Sequence, residues 1–220
     1  MQGTFTMTRQ LELKPGEGLK LRAKRYGMDW KRHIDSVSEC LEALKVTDRD
    51  GFPLEAEGGF ALLCDMTFSL RRARGTVFLV GNGASASMAS HVAADLAKNV
   101  HLRTEVFSDL SLLTAIANDM SYEHVFAEPL RRRMCPGDML VAISSSGNSP
   151  NVLAAALEAE RLGGTVVTLS AMGQENSLRK MGSLNFYVPG TTYGLAESCH
   201  ATILHYWIDH MVETAAARAD

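Results

Sequence analysis

A chain of 220 residues with 46% hydrophobic and 21% charged residues has ordinary globular composition, long enough to bury a sizeable core. A net charge of −3 with both signs mixed leaves no electrostatic footprint for nucleic acid or an anionic surface, and no uninterrupted apolar run approaches the ~20 residues of a membrane span. The N-terminus lacks the apolar stretch of a signal peptide, and the four cysteines, Cys40, Cys64, Cys135 and Cys199, form no CxxC pair, so they read as reduced packing thiols of a cytoplasmic protein.

In chain order, residues 1–25 are polar and punctuated by glycine and proline, and read as an N-terminal arm before a single domain over 26–220. From Asp29 to Val46 the apolar residues Ile34, Val37, Cys40, Leu41 and Leu44 recur at helical spacing. Residues 48–53 read as a loop, and a second apolar helix is expected from Leu54 to Arg74. The pattern then alternates. Strands are expected at Thr76–Val80, Thr104–Phe107, Met139–Ile143, Thr165–Leu169 and Leu184–Val188. Between them lie helices at Ser85–Lys98, Leu112–Ala117, Tyr122–Arg133 and Asn151–Leu162, the last stopped by Gly163-Gly164. A long helix from Ala196 to Ala217 closes the chain.

Strands that are continuously apolar, alternating with helices, predict an α/β, doubly wound, flavodoxin-like sheet of five parallel strands, with two N-terminal helices and a long C-terminal helix. Ligands of such sheets bind beyond the C-terminal strand ends. Two loops fall there. One is Ser144-Ser145-Ser146-Gly147-Asn148-Ser149, between an apolar strand and the helix that follows Pro150. Hydroxyls and the positive end of a helix make a cradle for a phosphate monoester, and without a P-loop lysine it does not read as an ATPase site. The other is Gly81-Asn82-Gly83-Ala84-Ser85. With Ala86 it comes close to a dinucleotide fingerprint, but no acidic residue ends the second strand, so that reading is set aside.

His91 and Asp95 stand four residues apart on one helix face. Glu197, His200 and His205 lie on the last helix, Glu197 and His205 being two turns and ~12 Å of rise apart. Together these side chains suit a zinc-like ion and equally suit acid/base work. Asn118-Asp119 alone reads as a turn or cap. The basic run Arg131-Arg132-Arg133 reads as a solvated helix end, and no nucleic-acid or membrane partner is expected.

Taken together, residues 30–215 resemble the sugar isomerase (SIS) domain, within it the phosphoheptose isomerase family. The resemblance is carried by Val80-Gly81-Asn82-Gly83-Ala84-Ser85, the stretch His91–Leu96, Ser108-Asp109, Ala117-Asn118-Asp119, Ser144–Ser149 and Glu197-x-x-His200-x-x-x-x-His205. It implies an aldose–ketose isomerase that converts sedoheptulose 7-phosphate to D-glycero-D-manno-heptose 7-phosphate through an enediol. The alternatives are an isomerase of another ketose phosphate, or a non-catalytic SIS protein that binds a sugar phosphate or a protein partner. The resemblance also implies a homotetramer with active sites between subunits. Phosphate binding would fall to Ser85, Ser144, Ser145, Ser146 and Ser149, and further substrate contacts to Asn82, Asn118, Asp119 and Glu197. Asp95 and His205 would be the acid/base pair, and His91, Asp95, Glu197 and His205 would hold Zn2+. The chain departs from the family pattern at Asp95, usually Glu, at Glu197, usually Gln, and at Ala84, Asn99 and Gly194.

Overall fold

The computed structural model describes residues 29–217 together with Lys20 and Gly27; apart from Lys20, the arm expected over 1–25 lies outside them. The chain divides into two units after Ser36, and the sheet belongs to the second. Helix α1 (Trp30–Glu42) ends in a tight turn, Leu44 N–H donating to Leu41 O at 3.1 Å. A hairpin follows, β1 (Lys45–Asp48) and β2 (Pro53–Leu54). The remaining elements are α2 (Ala56–Arg72), β3 (Thr76–Gly81), α3 (Ala84–Val100), β4 (Arg103–Val106), α4 (Leu110–Asp119), α5 (Ala127–Arg133), β5 (Met139–Ser144), α6 (Pro150–Arg161), β6 (Thr165–Ser170), β7 (Leu184–Tyr187) and α7 (Tyr193–Ala217). Short 3-10 turns stand at Tyr122–His124 and Leu178–Lys180.

The sheet has seven strands in the order β2-β1-β7-β6-β5-β3-β4. Its parallel part, β7-β6-β5-β3-β4, is the expected five strands. The added pair is antiparallel: β1 pairs with β7, Val46 opposite Phe186, and with β2. The helix expected to run to Val46 therefore stops at Glu42, and the expected loop 48–53 is mostly the hairpin turn. The β-branched Val46-Thr47 fits a strand, but the partner that selects strand over helix, β7, is supplied only by the tertiary fold.

Every residue of β5 is buried, which is why the strand is apolar without alternation. One face of the sheet packs on α2, α3 and α7 through residues such as Phe60, Leu63, Leu96, Ile203 and Trp207. The other packs on α5 and α6 through Leu130, Val152, Ala155 and Ala159. From β3 the chain moves outward to β4, then returns across β3 to β5. The switch point therefore lies between β3 and β5, where both predicted loops emerge.

Candidate active site

The register sets Gly81 beside Ile143 and Ser144 beside Ser170, so the loops after β3, β5 and β6 are neighbours. Gly81 permits the close approach of strand and helix: a Cβ there would lie 2.6 Å from Ser85 Cβ and 3.0 Å from Ile143 O. Gly83, the N-cap of α3, has φ 55 and ψ −122, a conformation open to glycine. These two glycines place Ser85, 5% exposed, on the wall of a pocket. That pocket, ≈ 160 Å³, is lined by Asn82, Ser85, Ile143, Ser144, Ser145, Ser146, Ser149, Tyr193 and Glu197.

All five predicted serines line it. Ser144 Oγ lies 3.1 Å from Ser149 Oγ and 3.5 Å from Ser146 Oγ, and Gly147 N–H donates to Ser144 Oγ at 3.2 Å. Neither N-cap, Gly83 for α3 or Ser149 for α6, caps its helix with a side chain. The first-turn N–H groups of Ser85, Ala86 and Val152 donate to the backbone carbonyls of Asn82, Gly83 and Ser149, and Pro150 has none, so what the two helices turn toward an anion is the positive end of their dipoles. None of the lining residues is cationic, so the pocket offers neutral donors and helix dipoles.

Asn82 is held from two sides. Its amide and that of Asn151 exchange reciprocal hydrogen bonds of 2.9 Å, and Tyr122 OH donates to Asn82 Oδ1 at 3.1 Å. Sequence reasoning missed Asn151, Tyr122 and Tyr193. Only tertiary contact reveals the first two, whereas Tyr193 was findable as an aromatic at the start of the helix that carries Glu197. Asn118 and Asp119 end α4, exposed, with Asn118 Nδ2 donating to Asp119 Oδ1 at 2.9 Å. They do not line the serine pocket.

Helices α3 and α7 pack side by side, and their N-terminal turns flank the pocket through Ser85 and Glu197. Further along the same pair, His91, Asp95 and His205 converge, one ligand atom of each lying within 4.8 Å of the others. His91 Nε2 is 3.3 Å from Asp95 Oδ2, and the His91 and His205 ring centroids are 5.2 Å apart. Asp95 Oδ1 lies on the other side, 4.0 Å from Lys98 Nζ. The rise from Ser85 to His91 is ~9 Å and from Glu197 to His205 ~12 Å. Among the described residues Glu197 is outside the three-residue cluster and belongs to the serine pocket. Two imidazoles and a carboxylate at this spacing fit a zinc ion.

His200, between Glu197 and His205 in sequence, faces the core instead and is fully buried. Neither ring nitrogen meets a hydrogen-bond partner among the described residues. Burial lowers its pKa to about 4, the Ser170 backbone acting in the opposite direction. It takes no part in the site and is held neutral.

The SIS domain model matches residues 36–171, more than half of the chain. The phosphoheptose isomerase of Helicobacter pylori is 38% identical over 143 residues, 62% of this chain and 73% of that protein. That of Chlorobaculum parvum is 35% identical over 161 residues, covering 68% and 75%. Among solved structures, a phosphoheptose isomerase from Neisseria gonorrhoeae superposes with a TM-score of 0.71 at 25% identity, over 88% of this chain and 98% of that one. With the switch-point pocket, these similarities make the chain a member of the SIS-domain phosphoheptose isomerase family of sugar-phosphate isomerases.

Proposed function

We propose that the enzyme, through a SIS domain over residues 26–220, converts sedoheptulose 7-phosphate to D-glycero-D-manno-heptose 7-phosphate. The observation that carries this reading is the placing of two subsites along one helix pair. Neutral phosphate donors stand at one end, and a carboxylate with two imidazoles stands ~9–12 Å of helix rise away. The extended carbon chain of a heptose phosphate has a length of that order. The phosphate rests on Ser85, Ser144, Ser145, Ser146 and Ser149, and C1–C2 reaches the far cluster. Asn82, with Asn118, Asp119 and Glu197, meets the sugar hydroxyls.

In the reaction Asp95 removes a proton from C1 while the C2 carbonyl oxygen takes one up, which gives the 1,2-enediol. The C1 hydroxyl then loses its proton and Asp95 returns one to C2, leaving an aldehyde at C1. His205 carries the proton between the two oxygens. The acid and imidazole that this requires are juxtaposed rather than dispersed, which favours an enzyme over a phosphate-binding module. Zn2+ would be held by His91, Asp95 and His205, with Glu197 as a fourth ligand only after movement; bound there it supplies Lewis-acid polarisation of the substrate carbonyl. Asp95 can serve both purposes, because Oδ2 faces His91 while Oδ1 lies apart from it.

The homotetramer is part of the same proposal. On and just after helix α4 the apolar side chains of Leu110, Met120 and Tyr122 are exposed, while Leu112, Leu113 and Ile116 pack partly buried against the core. Such a face next to a site fits coverage by a second copy. The setting we propose is the cytoplasm. No helix among the described residues is long and apolar enough to cross a membrane.

Turnover of sedoheptulose 7-phosphate tests the substrate, and solvent deuterium tests the base. Asp95→Asn keeps the shape but cannot accept a proton, so deuterium entry at C1 should fall by about 10²–10⁴-fold. Entry at the wild-type rate removes Asp95 from the role of base.

A further inference from the structure

The serine loop does not set its own shape. Gly147, its tightest residue, has φ +64, and a Cβ added there would lie 2.0 Å from Asn176 Oδ1. The Asn176 side chain is thus packed directly on the Gly147 backbone. Asn176 is 2% exposed and fully engaged. Its Nδ2 lies 3.2 Å from Ser170 Oγ, 3.2 Å from Ala171 O and 2.8 Å from Gly173 O, while Oδ1 accepts from Arg179 N–H at 3.0 Å. The next two residues grip the loop as well. Ser177 N–H donates to Asn148 Oδ1 at 3.0 Å, and Leu178 N–H donates to Gly147 O at 2.9 Å.

The segment 171–178 begins at Ala171, whose N–H donates to Ser145 O at 3.1 Å. It is fixed from below by Tyr187, whose hydroxyl donates to Met172 O at 2.8 Å, and Arg179 lies over the Tyr187 ring at 4.4 Å. No residue of this strap lines the serine pocket.

We propose that the strap, keyed by Asn176, sets the backbone of Gly147 and thereby the positions of the Ser146 and Ser149 hydroxyls, so that Asn176 is a positioning residue for the substrate phosphate. This rests on the reading of the serine pocket as the phosphate site. A buried amide that satisfies four partners and abuts a positive-φ glycine holds one loop geometry, and hydrogen bonds to an anion are sensitive to sub-ångström displacement.

The test measures competitive inhibition by inorganic phosphate, with KM and kcat, in wild type, Asn176→Ala and Ser146→Ala. Asn176→Ala should weaken phosphate on the order of 10-fold and raise KM more than it lowers kcat. Amide exchange should quicken in 144–149 while the core of β5 and β6 stays protected, a local signature that general destabilisation would not give. The effects of Asn176→Ala and Ser146→Ala should be less than additive, since both act on one contact. If Asn176→Ala does not fold, Asn148→Ala releases the strap from its exposed side and should also weaken phosphate. Unchanged phosphate inhibition in folded Asn176→Ala, with Ser146→Ala impaired, overturns the proposal and leaves the phosphate site standing. Wild type and Ser146→Ala inhibited equally overturns both.

Discussion

His200 sits on α7 with no exposed surface and no hydrogen-bond partner among the described residues, and its pKa is lowered to about 4. The unfolded chain returns it to about 6.5. Because the folded value is the lower one, the unfolded state binds the proton first as pH falls. Stability tied to neutral His200 is fully present above pH ~6.5, is lost progressively below it, and stops falling below pH ~4. Between those values at pH 5 the loss is about 2 kcal/mol, or about 4–8 °C in Tm for a chain of this size. Glu158, lowered to about 2, adds only a few tenths of a kcal/mol at pH 5, so the window from 6.5 to 5 isolates the histidine. His200→Leu replaces an unpartnered imidazole by an apolar group of similar volume and should cost under about 1 kcal/mol at pH 7.5. Thermal unfolding at fixed protein concentration should then show the variant losing several degrees less than wild type between pH 7.5 and 5. Equal acid sensitivity in the two proteins refutes the reasoning.

Gly81→Ala drives a Cβ into Ser85 and the backbone carbonyl of Ile143, and should cost about 1–3 kcal/mol while displacing Ser85 from the pocket; unfolding midpoint and phosphate inhibition measured together check both effects. Glu158, its side chain 9% exposed, accepts from Arg161 and Arg131, and these hydrogen bonds lower its pKa to about 2. Both arginines are largely solvated, so Glu158→Gln should cost about 1–2 kcal/mol at pH 7 by urea unfolding. Because that carboxyl's folded value is depressed, the gap from wild type should close as pH falls from ~4.5 toward 2.

The parallel sheet was legible because its central strands β3, β5 and β6 are largely apolar and buried, whereas edge strand β4, Arg103–Val106, carries a weaker signal; the serine loop was legible because its residues are consecutive. His91 and Asp95 were legible through their i, i+4 spacing, but their meeting with His205 depends on α3 packing against α7, which one-dimensional spacing does not encode. The same limit leaves Glu197 between its two expected roles. It shares a motif with His205, yet ~12 Å of helix rise carries it to the other subsite. The β1–β2 hairpin was hidden because Val46 satisfies the helical period as well as the strand's, and β7 decides between them from far along the chain. Asn151, Tyr122 and Asn176 act by gripping loops that are remote in sequence, so no local pattern marks them.

The position of Glu197 has an energetic consequence. It shares a pocket of ≈ 160 Å³ with five serine hydroxyls and no cation, so its carboxylate and a bound phosphate lie within one small volume. At a separation of about 6 Å the repulsion between unit charges is roughly 1–3 kcal/mol for an effective dielectric between that of water and a protein surface. Neutral donors and two helix dipoles must overcome this for phosphate to bind. A carboxylate that accepts from sugar hydroxyls returns part of that cost, but only when a sugar is attached. Glu197→Gln removes the repulsion and keeps the shape. Inorganic phosphate should then inhibit about 5-fold or more tightly, while the advantage of the sugar phosphate over inorganic phosphate shrinks. Competitive inhibition constants for wild type and variant at pH 7.5 measure both. If inorganic phosphate binds the two proteins equally, the Glu197 carboxylate does not sit in the field of the phosphate, and discrimination between free phosphate and sugar phosphate lies elsewhere in the pocket.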